Sequence, residues 1–255
     1  MDKNVLLIVE GDADEVKFYN RLFSKFMKKV TYKFYSYRTN IHILAQELYN
    51  KYNDFDKGNI DIKLILASLE TDKKKIKLLR EKYSDVFLVF DFESQHDTTH
   101  FDTVKRMMTY FNDSTNQGKL FINYPMMQSY KNFSQLPCEN FDSLKIVFEQ
   151  VKEYKSIVGA VSTYTDLDKY DYILFYSIAV HHLKKANKII NGRYELPSVC
   201  TYLQYDYRTI LGYQLNLLKN ERLVSILNTC IFTLIDFAPT KFLNFVKNHK
   251  NDLLI

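Results

Sequence analysis

Two short, unbroken apolar runs constrain the fold of this chain of 255 residues more than any other feature. The first, VLLIV, spans residues 5–9, and the second, VFLVF, spans residues 86–90. A strand that helices cover on both faces has this composition, because neither of its faces meets water. We therefore predict that both runs are central strands of a parallel sheet.

Helical and strand patterns alternate through the first half of the chain. The further predicted elements are helices that begin near Asp14, Asn40, Asp72 and Phe101, and strands over residues 31–37 and 119–125. Residues 60–69 are ambiguous between helix and strand. Alternation of this kind predicts an α/β fold, with a doubly wound parallel sheet flanked by helices.

The second half has a different pattern. Beyond about Gln135, every long segment has apolar residues at helical spacing, and residues 155–171 are interpreted as a connector. The predicted stripes are Leu144, Val147, Phe148 and Val151, then residues 176–190, then Leu223, Ile226, Leu227, Cys230, Ile231 and Leu234, and finally Phe242, Phe245 and Val246 after Pro239. We predict two domains, a catalytic domain at residues 1–135 and an all-α helical domain at residues 136–255.

The composition is that of a folded protein without a membrane span. Apolar residues make up 46% and charged residues 25% of the chain, which is ordinary for a globular protein. No apolar run approaches the ~18 residues of a membrane helix, and no signal-peptide core is present, so we expect a cytoplasmic location. Cys138, Cys200 and Cys230 are scattered, which predicts buried free thiols and no disulfide or zinc site. The net charge of +5 permits an anionic partner.

Acidic residues follow both apolar runs. Glu10 and Gly11 come directly after the first run, with Gly11 expected to allow a tight turn, and Asp14 stands in the first turn of the next helix. Asp91 and Glu93 follow the second run two residues apart, so they point the same way in an extended segment. Because ligands bind at the carboxyl ends of parallel strands, we expect these four carboxylates to converge.

Four ionised carboxylates at close range repel one another unless a cation lies among them. Oxygen ligands select hard ions, so the expected cofactor is Mg²⁺ or Mn²⁺, held by Glu10, Asp14, Asp91 and Glu93. Such an ion retains positions for a phosphate oxygen and an attacking water. The sequence therefore predicts hydrolysis of phosphodiesters.

The segments VLLIVEGDADEVKFY and VFLVFDFES together resemble the Toprim domain of topoisomerases, primases and the overcoming-lysogenization-defect (OLD) nucleases, over roughly residues 4–133. The resemblance implies Mg²⁺-dependent cleavage of nucleic acid, with Glu10 and Asp91 in the site. Lys131, in the segment NYPMMQSYK, would by the same resemblance stabilise charge in the transition state. The chain departs from the family pattern at Glu93, where the family has aspartate. It departs again at Gln128, where small anti-phage Toprim proteins often carry an acidic residue.

Motifs and domains that the sequence lacks narrow the range of Toprim functions that the resemblance implies. The chain leaves little room for the further domains of a topoisomerase, and its cysteines cannot form the zinc module of a primase. It has no P-loop motif, so the ATPase of an OLD-type system would be a separate partner protein. The implied function is a Mg²⁺-dependent endonuclease effector of bacterial anti-phage defence (abortive infection), activated by that partner. Its substrate would be RNA, with tRNA as one candidate, or DNA, and a homodimer is one candidate assembly.

Two other functions fit part of the pattern. A phosphoreceiver-like signalling module also places carboxylates after its first strand and an aspartate after its third. A catalytically inactive Toprim interaction subunit would account for the departures at Glu93 and Gln128. Ordinary structural roles are expected for turn or cap residues Asp12 and Asp97, for the solvated lysines Lys73, Lys74, Lys75 and Lys77, and for His181 and His182, with His181 on the polar side of its helix.

Overall fold

The computed structural model describes residues 3–27, 29–52, 60–95 and 101–255, so Asp97 lies outside the described residues. The strands are β1 (Lys3–Val9), β2 (Val30–Ser36), β3 (Asp85–Asp91), β4 (Asn112–Asp113), β5 (Gly118–Asn123), β6 (Lys145–Val147) and β7 (Leu223–Ser225). The α-helices are α1 (Asp14–Phe26), α2 (Ile41–Tyr52), α3 (Ile62–Leu69), α4 (Lys73–Leu79), α5 (Phe101–Tyr110), α6 (Tyr154–Val161), α7 (Tyr172–Asn191), α8 (Val199–Leu203), α9 (Tyr207–Glu221), α10 (Thr233–Asp236) and α11 (Pro239–Asn248).

A five-stranded sheet with the order β2-β1-β3-β5-β4 organises the first half of the chain. β1 pairs in parallel with β2 and β3, β3 pairs in parallel with β5, and β4 is antiparallel at the edge. The two apolar runs are the central strands, and Leu7 and Leu88 are fully buried. The predicted α/β architecture, a mostly parallel sheet flanked by helices, is therefore confirmed.

Polar caps explain where several helices begin. The side chain of Asp61 accepts hydrogen bonds from the backbone N–H groups of Lys63 and Leu64, at 2.9 and 3.3 Å, and so starts α3. The ambiguous residues 60–69 are thus mainly helical, with Ile65 buried and Leu64 exposed. Asp72 caps α4 in the same way through the N–H of Lys74.

The second half is mostly helical but not entirely so. The predicted helical stripes at residues 144–151 and 223–234 were wrong, because β6 and β7 form an antiparallel pair there and residues 148–153 form a 3-10 helix. The segment after β7 passes through the protein interior, where Leu227, Ile231 and Phe232 are fully buried. The apolar residues of this segment are buried on all sides. Their spacing therefore does not mark the buried face of a helix. The predicted connector contains α6.

Residues of the second half also form hydrogen bonds with the end of β5 in the first half. Tyr124, just after β5, exchanges backbone hydrogen bonds of 2.8 and 2.9 Å with Leu227. The hydroxyl of Thr229 donates to the carbonyl oxygen of Ile122 at 2.8 Å. One hydrophobic core therefore runs from the sheet into the second half. The boundary between residues 135 and 136 stays a prediction.

Two expectations from composition have mixed outcomes. Among the described residues, no helix combines the length and the apolar character needed to cross a membrane. The three cysteines are free thiols; Cys230 is buried as expected, whereas Cys138 is only partly buried. Cys200 is exposed instead, because the short α8 buries its neighbour Tyr202 and leaves Cys200 on the outer face.

Candidate active site

Glu10 and Asp91 lie side by side at the carboxyl ends of two neighbouring strands. The backbone N–H of Glu10 donates to the carbonyl oxygen of Val89 at 3.2 Å, which continues the pairing of β1 with β3 by one residue. The Glu10 carboxylate then accepts a hydrogen bond through Oε2 from the backbone N–H of Asp91, at 3.0 Å. The parallel pairing of β1 with β3 thus brings together Glu10 and Asp91, the first acidic residue after each apolar run.

Burial and mutual repulsion destabilise the charges of this pair. The pKa of Glu10 is raised from 4.5 to about 7, mainly by burial and in part by the nearby carboxylates of Glu93 and Glu15, while the hydrogen bond from the Asp91 N–H lowers it. Burial also raises the pKa of Asp91 well above its ordinary value, with Glu10 and Glu15 as the next causes. An added cation would relieve this repulsion.

Glu15, in the first turn of α1, also belongs to this acidic group. Its side chain is 6% exposed and shares the buried face of α1 with Phe18 and Tyr19. Burial raises the pKa of Glu15, while its own backbone N–H and that of Gly11 lower it. The signal was present in the sequence, since Glu15 stands three and four residues before two core aromatic residues.

Gly11 has a different role from the expected one. Its backbone does not have a positive φ, so the turn does not require glycine for its conformation. A Cβ atom at this position would lie only 2.8 Å from Oε2 of Glu15. Gly11 therefore provides the space that the buried Glu15 carboxylate occupies.

Asp14 is held by a separate group of residues. Its Oδ2 accepts hydrogen bonds from Nε2 of Gln128 at 2.6 Å and from Nζ of Lys155 at 2.7 Å. Burial opposes ionisation of Asp14, but Lys155 and Gln128 together hold its pKa below the ordinary value. The structure does not bring all four predicted carboxylates into one group: Glu10, Asp91 and Glu93 act on one another, whereas the groups that act on Asp14 are Lys155, Gln128 and Lys131.

Two lysines flank Asp14. Lys131 is half-buried, which lowers its pKa against the attraction of Asp14. Its carbonyl oxygen accepts a hydrogen bond from the hydroxyl of Ser162, just after α6, at 2.5 Å. Lys155 lies on α6, in the segment interpreted as a connector. It contacts Asp14 although the two residues are 141 positions apart, and nothing in the sequence pattern indicates this contact.

Asn123 connects the acidic pair of Glu10 and Asp91 to the second half of the chain. Nδ2 of Asn123 donates to Oδ1 of Asp91 at 3.4 Å, and Oδ1 of Asn123 accepts from the backbone N–H of Cys230 at 3.2 Å. Burial raises the pKa of the Cys230 thiol well above its ordinary value, and the nearby charge of Asp91 raises it further. Asn123 and Cys230 therefore link Asp91 to the interior segment after β7.

The donor chemistry of Glu10 and Asp91 fits a hard divalent cation. Among the described residues, no group of three or more His, Cys, Asp or Glu side chains is arranged to hold a metal ion. Mg²⁺, however, usually retains several waters and needs only one or two protein carboxylates. The two partly buried carboxylates of Glu10 and Asp91 meet that requirement, with Glu15 and Glu93 as further acids beside them.

Other residues considered from the sequence lie in ordinary structural settings. Asp12 is exposed and pairs with Arg38 at 3.2 Å. His181 and His182 are buried rather than at the surface, and the backbone N–H groups of Cys138 and Asn228 donate to their rings. The predicted solvated lysines of α4 include Lys75, which pairs with Glu70 at 3.4 Å.

Comparisons of the chain with protein-family models, with curated proteins and with solved structures found no match.

The raised pKa of Glu10 predicts a pH dependence of stability. Its ordinary pKa is 4.5 and its folded pKa is about 7, so the free energy of unfolding should fall as the pH rises through this window. Glu10→Gln removes the charge and keeps an oxygen that can accept from Asp91. Relative to wild type, the variant should gain roughly 1–3 kcal/mol between pH 5 and pH 8, measured by urea unfolding.

Glu70→Gln is the matched control. The backbone N–H of Asp72 is the main cause that lowers the pKa of Glu70, so this group titrates below its ordinary 4.5. The difference between Glu70→Gln and wild type should therefore be the same at pH 5 and pH 8. An equal pH dependence in wild type and Glu10→Gln would show that Glu10 titrates normally.

Proposed function

We propose that this chain is a Mg²⁺- or Mn²⁺-dependent endonuclease that hydrolyses phosphodiester bonds. The observation that carries the proposal is the pairing of Glu10 and Asp91, two carboxyl groups with raised pKa values, at neighbouring strand ends. Groups with strongly perturbed pKa values concentrate at functional sites. Lys131 and Lys155 on the adjoining elements add positive charge beside this acidic group, as an anionic substrate requires.

Glu10 and Asp91 would hold the cation, with Glu93 and Glu15 beside them. When bound there, the cation would supply Lewis acidity toward a phosphate oxygen and would acidify an attacking water. Oε2 of Glu10 is fixed by the Asp91 N–H, whereas Oε1 accepts no hydrogen bond from the described residues. Oε1 is therefore the oxygen that would receive a proton from the attacking water.

Lys131 and Lys155 would bind the substrate phosphates. Asp14 keeps their ammonium groups close together, since Lys155 contacts its carboxylate and Lys131 lies near enough to lower its pKa. Asp14 is therefore proposed to position the lysines, in place of the ligand role expected from the sequence. Lys131 would stabilise charge in the transition state, and Lys155 would hold the nucleic-acid backbone.

The Toprim resemblance extends the proposal to a biological role. We propose a cytoplasmic, Toprim-like effector of a bacterial anti-phage (abortive infection) system, with RNA or DNA as substrate and a separate ATPase as activating partner. The two acidic motifs at neighbouring ends of parallel strands support the resemblance. The absence of a P-loop motif from the sequence supports a separate ATPase. A helical second domain and a homodimer belong to the same proposal.

One observation favours an alternative, a catalytically inactive interaction subunit. The ammonium of Lys155 and the amide of Gln128 both contact the same oxygen of Asp14, which occupies an acid that could otherwise contribute to a metal site. The phosphoreceiver alternative has less support, because the chain adds a long, mostly helical second half and pairs Asp91 with Glu93 two residues on.

Cleavage assays with matched variants test the proposal directly. Purified protein, alone and with cell extract as a source of partner, should cleave RNA or DNA with Mg²⁺ or Mn²⁺ and stop in excess chelator. Glu10→Gln and Asp91→Asn should reduce cleavage by about 10²-fold or more. Asp12→Asn, at an exposed neighbouring acid, should retain it. Cleavage that persists in Glu10→Gln or in chelator would contradict the proposal.

Binding without cleavage tests the lysines. In the presence of chelator, Lys155→Ala should weaken the binding of a labelled oligonucleotide and lower its salt dependence by about one released ion, measured by fluorescence anisotropy. Lys152→Ala is the control, since Lys152 is an exposed lysine on the preceding 3-10 helix. Equal binding by Lys155→Ala and wild type would remove Lys155 from the site.

A further inference from the structure

A cavity in the second half of the chain lies apart from the acidic residues. Its volume is about 580 Å³, and its walls come from α7, residues 194–199, α11 and the residues that follow α11. The apolar part of its lining is aliphatic and consists of Leu196, Pro197, Val199, Leu243, Val246 and Ile255. This size and lining fall within the range of small-molecule binding sites.

Buried hydrogen bonds hold the walls in place. Asn187 on α7 is 2% exposed, and its Nδ2 donates to the carbonyl oxygens of Arg193 and Glu195 at 2.9 and 3.0 Å. On the other side, the backbone N–H of Leu254 donates to the hydroxyl of Ser177 at 2.9 Å. The cavity is therefore formed by fixed elements before any ligand binds.

Positive charge surrounds this aliphatic cavity. Lys184, Lys247 and Lys250 line it, and none of them forms an ion pair within the part of the chain that the structure describes. Glu195 is the one acidic side chain among the described lining residues, and it already lies 3.8 Å from Arg193. Burial lowers the pKa of Lys184, and the neighbouring charge of Lys250 lowers it further. An anion at this position would relieve the repulsion between the two lysines.

We propose that this cavity binds an acyl carboxylate, the anion of a medium- or long-chain fatty acid. The aliphatic wall accepts the hydrocarbon chain, and Lys184 and Lys250 neutralise the carboxylate. A nucleotide is a poorer fit, because Tyr194 is the one aromatic ring among the described lining residues on which a base could stack. The site is independent of the proposed nuclease activity.

A fluorescence assay with the full chain tests this site. Dansyl-undecanoate should bind in a saturable, one-to-one manner, and laurate should displace it. The double variant Lys184→Met, Lys250→Gln retains the side-chain stems and removes both charges, so it should bind about tenfold or more weakly. Lys241→Gln is the control, because Lys241 is exposed on α11 outside the cavity lining. Thermal unfolding of each variant checks that the fold is retained.

Four outcomes would overturn the proposal. One is the absence of saturable binding in wild type, and another is equal binding by the double variant and the Lys241→Gln control. The third is displacement by uncharged dodecanol at the same concentrations as laurate, which would show that the lysines do not recognise the carboxylate. Binding confined to phosphatidylglycerol vesicles, without competition by laurate, would also contradict it by assigning the lysines to a membrane surface.

Discussion

The parallel pairing of β1 with β3 is the interaction on which the rest of the structure depends. It joins the two most apolar segments at the centre of the sheet and brings Glu10 and Asp91 to the same edge. Burial that stabilises the strands therefore destabilises the charges at their ends. The same pairing therefore creates the acidic site at which we propose that a cation binds.

The second half of the chain contributes contacts to the acidic residues at this edge of the sheet. Asn123 and Cys230 connect Asp91 to the interior segment, while α6 carries Lys155 to Asp14. The acidic group and the lysine pair are therefore built from both halves of one continuous core. On this account, substitutions that loosen the interior segment should disturb the site as well as the stability of the fold.

The two fully buried strands and their parallel arrangement could be predicted from the sequence, but contacts between distant segments could not. The runs that became β1 and β3 have no polar face, and their parallel order placed Glu10 and Asp91 together. The burial of Glu15 depends on the space left by Gly11, and the partner of Asp14 comes from α6 far along the chain. The interior course of the segment after β7 was mistaken for a helix, because residues buried on all sides also match helical spacing.

Calorimetric titration with Mn²⁺ tests the central claim most directly, because it measures cation binding without requiring a substrate or a partner. The account predicts saturable binding that Glu10→Gln and Asp91→Asn each abolish. It also predicts release of protons on binding at pH 6, and less release at pH 8, since the pKa of Glu10 is about 7. Absence of binding in wild type, or equal affinity in Asp91→Asn, would contradict it.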